Sequence, residues 1–480
     1  MPTYATGGSA ATFQTLLDSF ACAPGLPFQD VLTAERIERI AAEEHVAFGS
    51  APGDVYSVPV TLWAFLAQVL SKEKACVAAV ARVLVLRVAL GLPPCAGETG
   101  AYCKARAKLP EPFLRRLCYD VAEQVESQAP AAWLWKGRHV FIGDGSTLSM
   151  PDTPENQQAY PQPRTQKRGL GFPILRAVVL LALATAVLSG AALGPYVGKK
   201  QGEPALLRAL LGRLRPGDIL LGDRYYASYW LIALAQQRGL DVVFRQHRRR
   251  ASDFRRGVRL GREDHVVVWT KPKRPDWLDE ATYQALPEAL TVRELRVRVS
   301  VPGYRAKELT VVTTLVDAAT YAKEEIAGLY RVRWHVELDL RALKAHMRMD
   351  ILRCKTPAMV RKEIWVHFLA YNLTRRVMAA AAQEQGVRPR SLSFMGAVQT
   401  LNEFRWLLVT AAAEARGTYV RALWLAIASH GVGDRPGRCE PRAVKRRPKP
   451  LRYLNEPRAA ARAKLLNGRG GRRRPGRGQA

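Results

Sequence analysis

From Ala177 to Gly198 the chain reads AVVLLALATAVLSGAALGPYVG, 22 residues without one charged side chain. Physics leaves such a run two destinations: the lipid bilayer or the centre of a protein core. It is long enough to cross a membrane as a helix. Against that, Gly and Pro flank it, Thr185, Ser189 and Gly190 interrupt its middle, and no second run of this kind accompanies it. Central strands covered on both faces lose their polar alternation and give the same signature. The run therefore predicts a buried β-hairpin in preference to a membrane span, and no membrane partner is expected.

The surrounding pattern gives that hairpin a sheet to sit in. Val140-Phe141-Ile142 is a short apolar strand candidate ending in Gly143-Asp144-Gly145-Ser146. Glu203 to Leu214 has the spacing of an amphipathic helix. Asp218-Ile219-Leu220-Leu221 is a second short strand ending in Gly222-Asp223-Arg224. Ala227 to Gln237 reads as helix and Val242-Val243-Phe244 as strand. Strands, hairpin, strand, helix and strand in that order predict a mixed α/β core. Upstream, residues 1–130 read as mostly helical, with a long apolar helix at Cys76–Leu92 and another at Phe113–Gln124. Residues 247–316 alternate instead as strands after a basic loop, HRRRASDFRRGVRLGR, and form a β-rich insertion. Helix returns from about Tyr321 to Met347 and again from Thr356-Pro357, where Thr and Pro suit the cap and first turn. The organisation expected is thus a helical domain (1–130), a core in two parts (131–246 and 317–385) around an insertion (247–316), a helical region (386–434) and a tail (435–480).

Charge decides the partner. Apolar residues are 48% and charged residues 24%, an ordinary globular balance, but 73 Lys and Arg face 42 Asp and Glu, a formal +31. That excess points to a polyanion, nucleic acid before an anionic membrane surface. The tail, ending RGGRRRPGRGQA, has the composition of a disordered nucleic-acid arm. Seven scattered cysteines show no CxxC pair, which fits a reducing cytoplasm and offers no zinc site.

Two of the short strands end in Gly-Asp. Aspartates at the carboxyl ends of neighbouring central strands lie where α/β sheets bind ligands. Asp144 and Asp223 placed so would repel unless cations sat between them, and hard oxygen ligands suit Mg2+ or Mn2+. A turn-forming Asp after a strand is the plainer reading of each alone. Tyr330, Arg333, Glu337 and Lys344 carry more weight. At the helical period, Arg333, Glu337 and Lys344 fall within about 60°, 20° and 40° of Tyr330, on one polar stripe. Leu329, Val332, Val336, Leu340, Leu343 and Met347 form an apolar stripe beside it. Asp339 and His335 point away. A solvated face of ion pairs is the plain alternative; the chemical one is a third carboxylate with two cations for phosphate.

In this spacing, Y-(2)-R-(3)-E-(6)-K, the chain resembles the DDE transposases of insertion-sequence family four. GDGSTLSMPDTPENQQAYPQP resembles that family's first-Asp region, LLGDRYYASYW its second, and GAYCKARAKLP a segment of its N-terminal domains; the likeness spans about residues 75–400. The resemblance implies an RNase H-like core carrying the insertion between the second Asp and the Glu. It implies Asp144, Asp223 and Glu337 as a triad for two Mg2+ ions, with Mn2+ able to substitute, and Tyr330, Arg333 and Lys344 as contacts to transposon-end phosphates. Some relatives stack a flipped base on a Trp of the insertion, for which Trp269 is the candidate, with Trp277 close by. Lys104, Arg106 and Lys108, read as exposed between helices, are candidate DNA contacts. The implied activity is cleavage at the ends of a bacterial insertion sequence and joining of a 3′-hydroxyl to target DNA, in some relatives through a hairpin intermediate. The implied setting is the bacterial cytoplasm at the nucleoid, with double-stranded DNA as partner and a homodimer in the complex. A metal-dependent nuclease or resolvase without strand transfer, and a domesticated non-catalytic DNA-binding protein, are the alternatives.

Overall fold

The computed structural model describes residues 31–432 and 454–468, apart from positions 52, 72, 90, 199–200, 248 and 299–307. The N-terminal part is helical, as its periodicity predicts: α1 (Ala34–Glu43), α2 (Val58–Leu70), α3 (Cys76–Ala89), α4 (Gly100–Lys108) and α5 (Glu111–Ser127). Thr33 and Ser57 cap the first two by accepting from Arg36 N and Val60 N. Then follow β1 (Val140–Ser149), α6 (Pro154–Ala159), β2 (Ile174–Ala182), β3 (Leu188–Pro195), α7 (Glu203–Leu210), β4 (Ile219–Gly222), α8 (Tyr229–Gln236) and β5 (Asp241–Arg245).

The charge-free run is the β2–β3 hairpin. It is buried from Ala177 through Ala182, and its strands pair antiparallel from Leu175↔Pro195 to Leu181↔Leu188. Among the described residues no helix is long and apolar enough to cross a membrane. β1 is the centre of the arrangement: it pairs antiparallel with β2 and parallel with β4, which pairs parallel with β5.

The insertion contributes β6 (Val258–Gly261), β7 (Asp264–Thr270), α9 (Glu280–Ala285), β8 (Ala289–Arg298) and β9 (Glu308–Thr313). It does not stand apart. β9 pairs with β5, so one mixed sheet of nine strands runs in the order β3-β2-β1-β4-β5-β9-β8-β7-β6. After it come α10 (Lys323–Arg331), α11 (His335–Arg341), α12 (Pro357–Glu384), α13 (Phe394–Thr410) and α14 (Ala413–Ala428). α12 is buried along most of its length against α5, α2 and α14.

Two expectations need correction. The helix expected from Tyr321 to Met347 is broken: a 3-10 turn at Val332–Trp334 separates α10 from α11, and a π turn follows at Ala342–His346. β-branched and aromatic side chains crowd Val332–Val336 and weaken a continuous α-helix there. The tail expected to be disordered contains a helix, α15 (Arg458–Gly468); residues 433–453 and 469–480 of it lie outside the described residues.

Lys74 ties the N-terminal helices to the end of the π turn. Its buried Nζ donates to the carbonyls of Met347 (2.6 Å) and Arg348 (2.9 Å) and meets Nε2 of His367 at 2.7 Å. His367 Nδ1 lies 2.7 Å from the Glu363 carbonyl, and burial pushes the ring's pKa down to about 3, so the neutral ring accepts from Lys74. Lys74→Met would strand these acceptors. It is expected to cost about 2–4 kcal/mol, read by thermal or urea melting; a melt unchanged from wild type would refute the tie.

Candidate metal and DNA site

Register brings the two aspartates together. β1 and β4 pair as Val140↔Ile219, Phe141↔Leu220 and Ile142↔Leu221. Asp144 stands two residues beyond the last paired residue of β1 and Asp223 two beyond that of β4, in the turn just past Gly222, so both lie where the two strands part. Asp144 was expected at a strand end; it lies in the middle of β1, which continues to Ser149 paired with β2. The ligand-facing edge is therefore the point where β1 parts from β4.

Glycines on either side of Asp144 let a helix close over β1. A Cβ at Gly143 would come 3.0 Å from Leu207 of α7, and one at Gly145 would come 2.4 Å from the carboxyl carbon of Glu203. Alternation along the strand turns Asp144 to the other face, where α11 packs on β1. Arg333 bridges the two: Nη1 is 4.0 Å from Asp144 Oδ2 and Nη2 is 3.6 Å from Glu337 Oε1. Burial works against the Arg333 charge, but Tyr330, Asp144, Glu337 and Asp223 more than offset it, and its pKa is raised.

Burial pushes the Asp144 carboxyl up to about 6, against the hydrogen bond from Gly145 N (2.9 Å) and the attraction of Arg333; the Asp223 and Glu203 charges add to the rise. Asp223 Oδ1 accepts from Tyr225 N at 2.8 Å, which fixes the turn after β4. Tyr330 is buried beside Arg333, Arg245 and Asp223. Lys344 donates to Ser146 Oγ (3.2 Å) and to the Thr147 carbonyl (3.0 Å), clasping β1 just beyond Asp144.

The structure thus brings Asp144, Asp223, Glu337, Tyr330, Arg333 and Lys344 to one edge of the sheet despite the broken helix. It does not close three carboxylates on a single point: among the described residues no three His, Cys, Asp or Glu form a ready cation cage. Arg333 occupies the gap between two of them. The donor set nevertheless fits a hard divalent cation, since it consists of carboxylate oxygens. Tyr226 adds a buried hydroxyl that has no hydrogen-bond partner.

Two expected DNA contacts are corrected. Trp269 is 3% exposed; its Nε1 donates to Glu294 at 2.9 Å and the Arg250 guanidinium covers its ring at 3.9 Å, so no face is open to a base. Its place in β7, facing the sheet interior, is the reason. Lys104, Arg106 and Lys108 lie on α4, not between helices. Arg106 is partly buried: it donates to Gln68 at 2.9 Å and packs over the rings of Phe65 and Tyr102. Lys104 and Lys108 are exposed. Glu203 and Tyr226 were not singled out from sequence. An acid in the first turn of a helix reads simply as a helix start, and the one available hint was the small residue, Gly145, that makes room for it.

The model of the family described as Transposase DDE domain matches residues 135–373, a stretch that holds Asp144, Asp223 and Glu337. The transposase InsG of insertion sequence element IS4 from Escherichia coli (strain K12) is 28% identical over 357 residues, covering 72% of this chain and 76% of its own. The chain belongs to the DDE transposases of insertion-sequence family four. A second relative from that strain, InsZ, is 28% identical over 145 residues, 26% of this chain and 48% of its own. The piggyBac transposase in a synaptic complex with hairpin DNA aligns with 88% of this chain and 86% of its own, at 12% identity and a TM-score of 0.39. The family match and the likeness to InsG make the protein an insertion-sequence transposase, an enzyme that acts on DNA and depends on divalent metal.

Proposed function

We propose that this transposase binds the terminal inverted repeats of its element, cleaves DNA at the element ends and joins the freed 3′-hydroxyl to target DNA. The observation that carries the reading is Asp144 and Asp223 at the parting of β1 and β4, with Arg333 placed 4.0 Å from Asp144 and 3.6 Å from Glu337. The order β3-β2-β1-β4-β5, with β1, β4 and β5 parallel, supports an RNase H-like core. Asp144, Asp223 and Glu337 hold two Mg2+ ions, for which Mn2+ can substitute. Bound there, the ions supply Lewis-acid activation of the attacking oxygen and charge neutralisation at the leaving oxygen. Arg333 offsets repulsion among the carboxylates and, with Lys344 and Tyr330, steadies the phosphate by charge-assisted hydrogen bonds. Lys104 and Lys108 on the helical domain, 1–130, contact the end sequences. The core comprises 131–246 and 317–385, interrupted by the insertion 247–316, with 386–434 and the tail 435–480 beyond. Two ends require two active sites, hence a homodimer on DNA, working at the bacterial nucleoid.

The test is incubation of the full chain and Mg2+ with labelled duplexes bearing the inverted repeats that flank the coding DNA. Cleaved ends and joined products are expected. Cleavage without joining would instead favour a nuclease or resolvase, and binding without cleavage a domesticated DNA-binding protein.

A pH effect follows from Asp144. A carboxyl raised to about 6 in the folded protein contributes stability below its ordinary pKa of 3.8, and that stability is lost as pH rises through about 6. A cation should restore it, because it needs the ionised form. Thermal stabilisation by Mg2+ is expected to be small at pH 5 and to grow by pH 7. An equal shift at both would count against Asp144 as a ligand.

A further inference from the structure

A further carboxylate, Glu203, lies beside Asp144 at this sheet edge. Glu203 is the first residue of α7, which crosses β1, β2 and β3 on the face opposite α11. Its carboxyl rests on the β1 backbone beside Asp144: a Cβ at Gly145 would stand 2.4 Å from Cδ and 2.8 Å from Oε1. Because pairing between β1 and β4 runs only as far as Ile142 and Leu221, the strands part just where Asp144 and Asp223 follow. A side chain from the α7 face can reach both through that opening, and Glu203 lies within electrostatic reach of each.

The plain alternative is an acid that favours a helix N-terminus and pairs with Arg176. The contacts fit it poorly. Arg176 Nε is 4.0 Å from Glu203 Oε1, beyond hydrogen-bond range. That Nε is itself buried without a hydrogen-bond partner, while Arg176 Nη1 donates to the Gln201 carbonyl at 2.7 Å. The second observation is Tyr226. It is 0% exposed, its hydroxyl has no hydrogen-bond partner among the described residues, and it lies within electrostatic reach of Glu203, Asp144 and Asp223. Gly222 permits this placement, since a Cβ there would meet the Tyr226 ring at 2.7 Å. A buried donor set among three carboxylates is suited to orient them around an ion.

We propose that Glu203 is a fourth carboxylate of the metal centre, holding a divalent cation together with Asp144 and Asp223 from the α7 side while Glu337 closes from α11. The inference rests on the triad reading above and adds a residue to it. Gly145 then has a definite role, that of leaving the Glu203 carboxyl its place.

Mn2+ binding to the full-length, DNA-free protein tests this, read by the loss of the free-ion electron paramagnetic resonance signal. Melting in chelator serves as the folding control. Glu203→Gln and Asp144→Asn are each expected to weaken Mn2+ binding by about tenfold or more. Gly145→Ala should weaken it with Glu203 still present, by displacing the carboxyl, and it decides the matter if Glu203→Gln melts abnormally. Arg176→Met, which removes the ion pair together with the hydrogen bond to the Gln201 carbonyl but no carboxylate, should leave Mn2+ affinity unreduced. If Asp144→Asn weakens binding but Glu203→Gln and Gly145→Ala match wild type, the fourth carboxylate is refuted and the triad stands. Equal weakening in Arg176→Met and Glu203→Gln would refute it in favour of a structural role. If wild type takes up no Mn2+, or Asp144→Asn binds it as wild type does, the triad reading falls and Glu203 with it.

Discussion

Asp144→Ala, Asp223→Ala and Glu337→Ala should each lower cleavage of a labelled end duplex by about a thousandfold or more, with duplex binding nearly intact. The size follows from what the side chains do. A ligand lost from a charged phosphoryl-transfer site removes several kcal/mol of transition-state stabilisation, and each 1.36 kcal/mol is about tenfold in rate. Binding survives because most protein–DNA affinity comes from phosphate contacts spread over a wide surface, and this chain carries a formal +31. Folding survives too. Asp144 is a half-buried carboxyl whose ionisation the metal-free fold resists, so its removal relieves a cost, while Glu337 is exposed and its side chain meets Arg333 at 3.6 Å. The measurement is a time course of strand cleavage beside a gel-shift titration on the same substrate. Any one variant that cleaves at wild-type rate leaves the triad.

The sequence made the edge of this site legible and its floor illegible, for identifiable reasons. Gly-Asp after an apolar run is local information, and so is the spacing of Tyr330, Arg333, Glu337 and Lys344. Both survive in the structure because β1, β4 and the helices after β9 are held by the apolar residues that framed those motifs. Their register was not local. That Asp144 and Asp223 both follow the last paired residues of β1 and β4 depends on the offset between those strands, which their hydrophobic pattern does not fix. The insertion reads as β from its alternation, but its merger with the core needed the pairing of β9 with β5. The break in the helix before Glu337 was unreadable in a periodicity that assumes one uniform turn. Trp269 shows the limit of motif reasoning: residue type suggested an aromatic platform, and a buried Glu294 and a covering Arg250 turn it into core.

The helix wheel also set Asp339 aside as pointing away from the site, and the structure gives it a different task with a large expected effect. Its carboxylate is 1% exposed and accepts from Arg375 Nη2 at 2.7 Å and from Arg390 Nη1 at 2.8 Å. Arg390 donates further to the carbonyls of Ala182 (2.8 Å) and Leu183 (2.6 Å) at the tip of the β2–β3 hairpin. Arg375 donates to Tyr371 Oη at 3.0 Å, and that hydroxyl donates to the Ala186 carbonyl at 2.9 Å. One anion therefore ties α11, two residues after Glu337, to α12 and to the hairpin beside β1. Asp339→Ala leaves two largely buried guanidinium groups without their counter-charge, a loss of about 3–5 kcal/mol. Melting should fall by about 3–5 °C. Asp339→Asn keeps an acceptor for one arginine and should fall less. Cleavage by Asp339→Ala, assayed well below its melting point, should also be slowed, because Glu337 is held at the site only by the helix this anion anchors; DNA binding should not change. A wild-type melt in Asp339→Ala would mean that the arginines find other partners, and that α11 and the π turn after it owe their position to apolar packing through Val336 and Leu343.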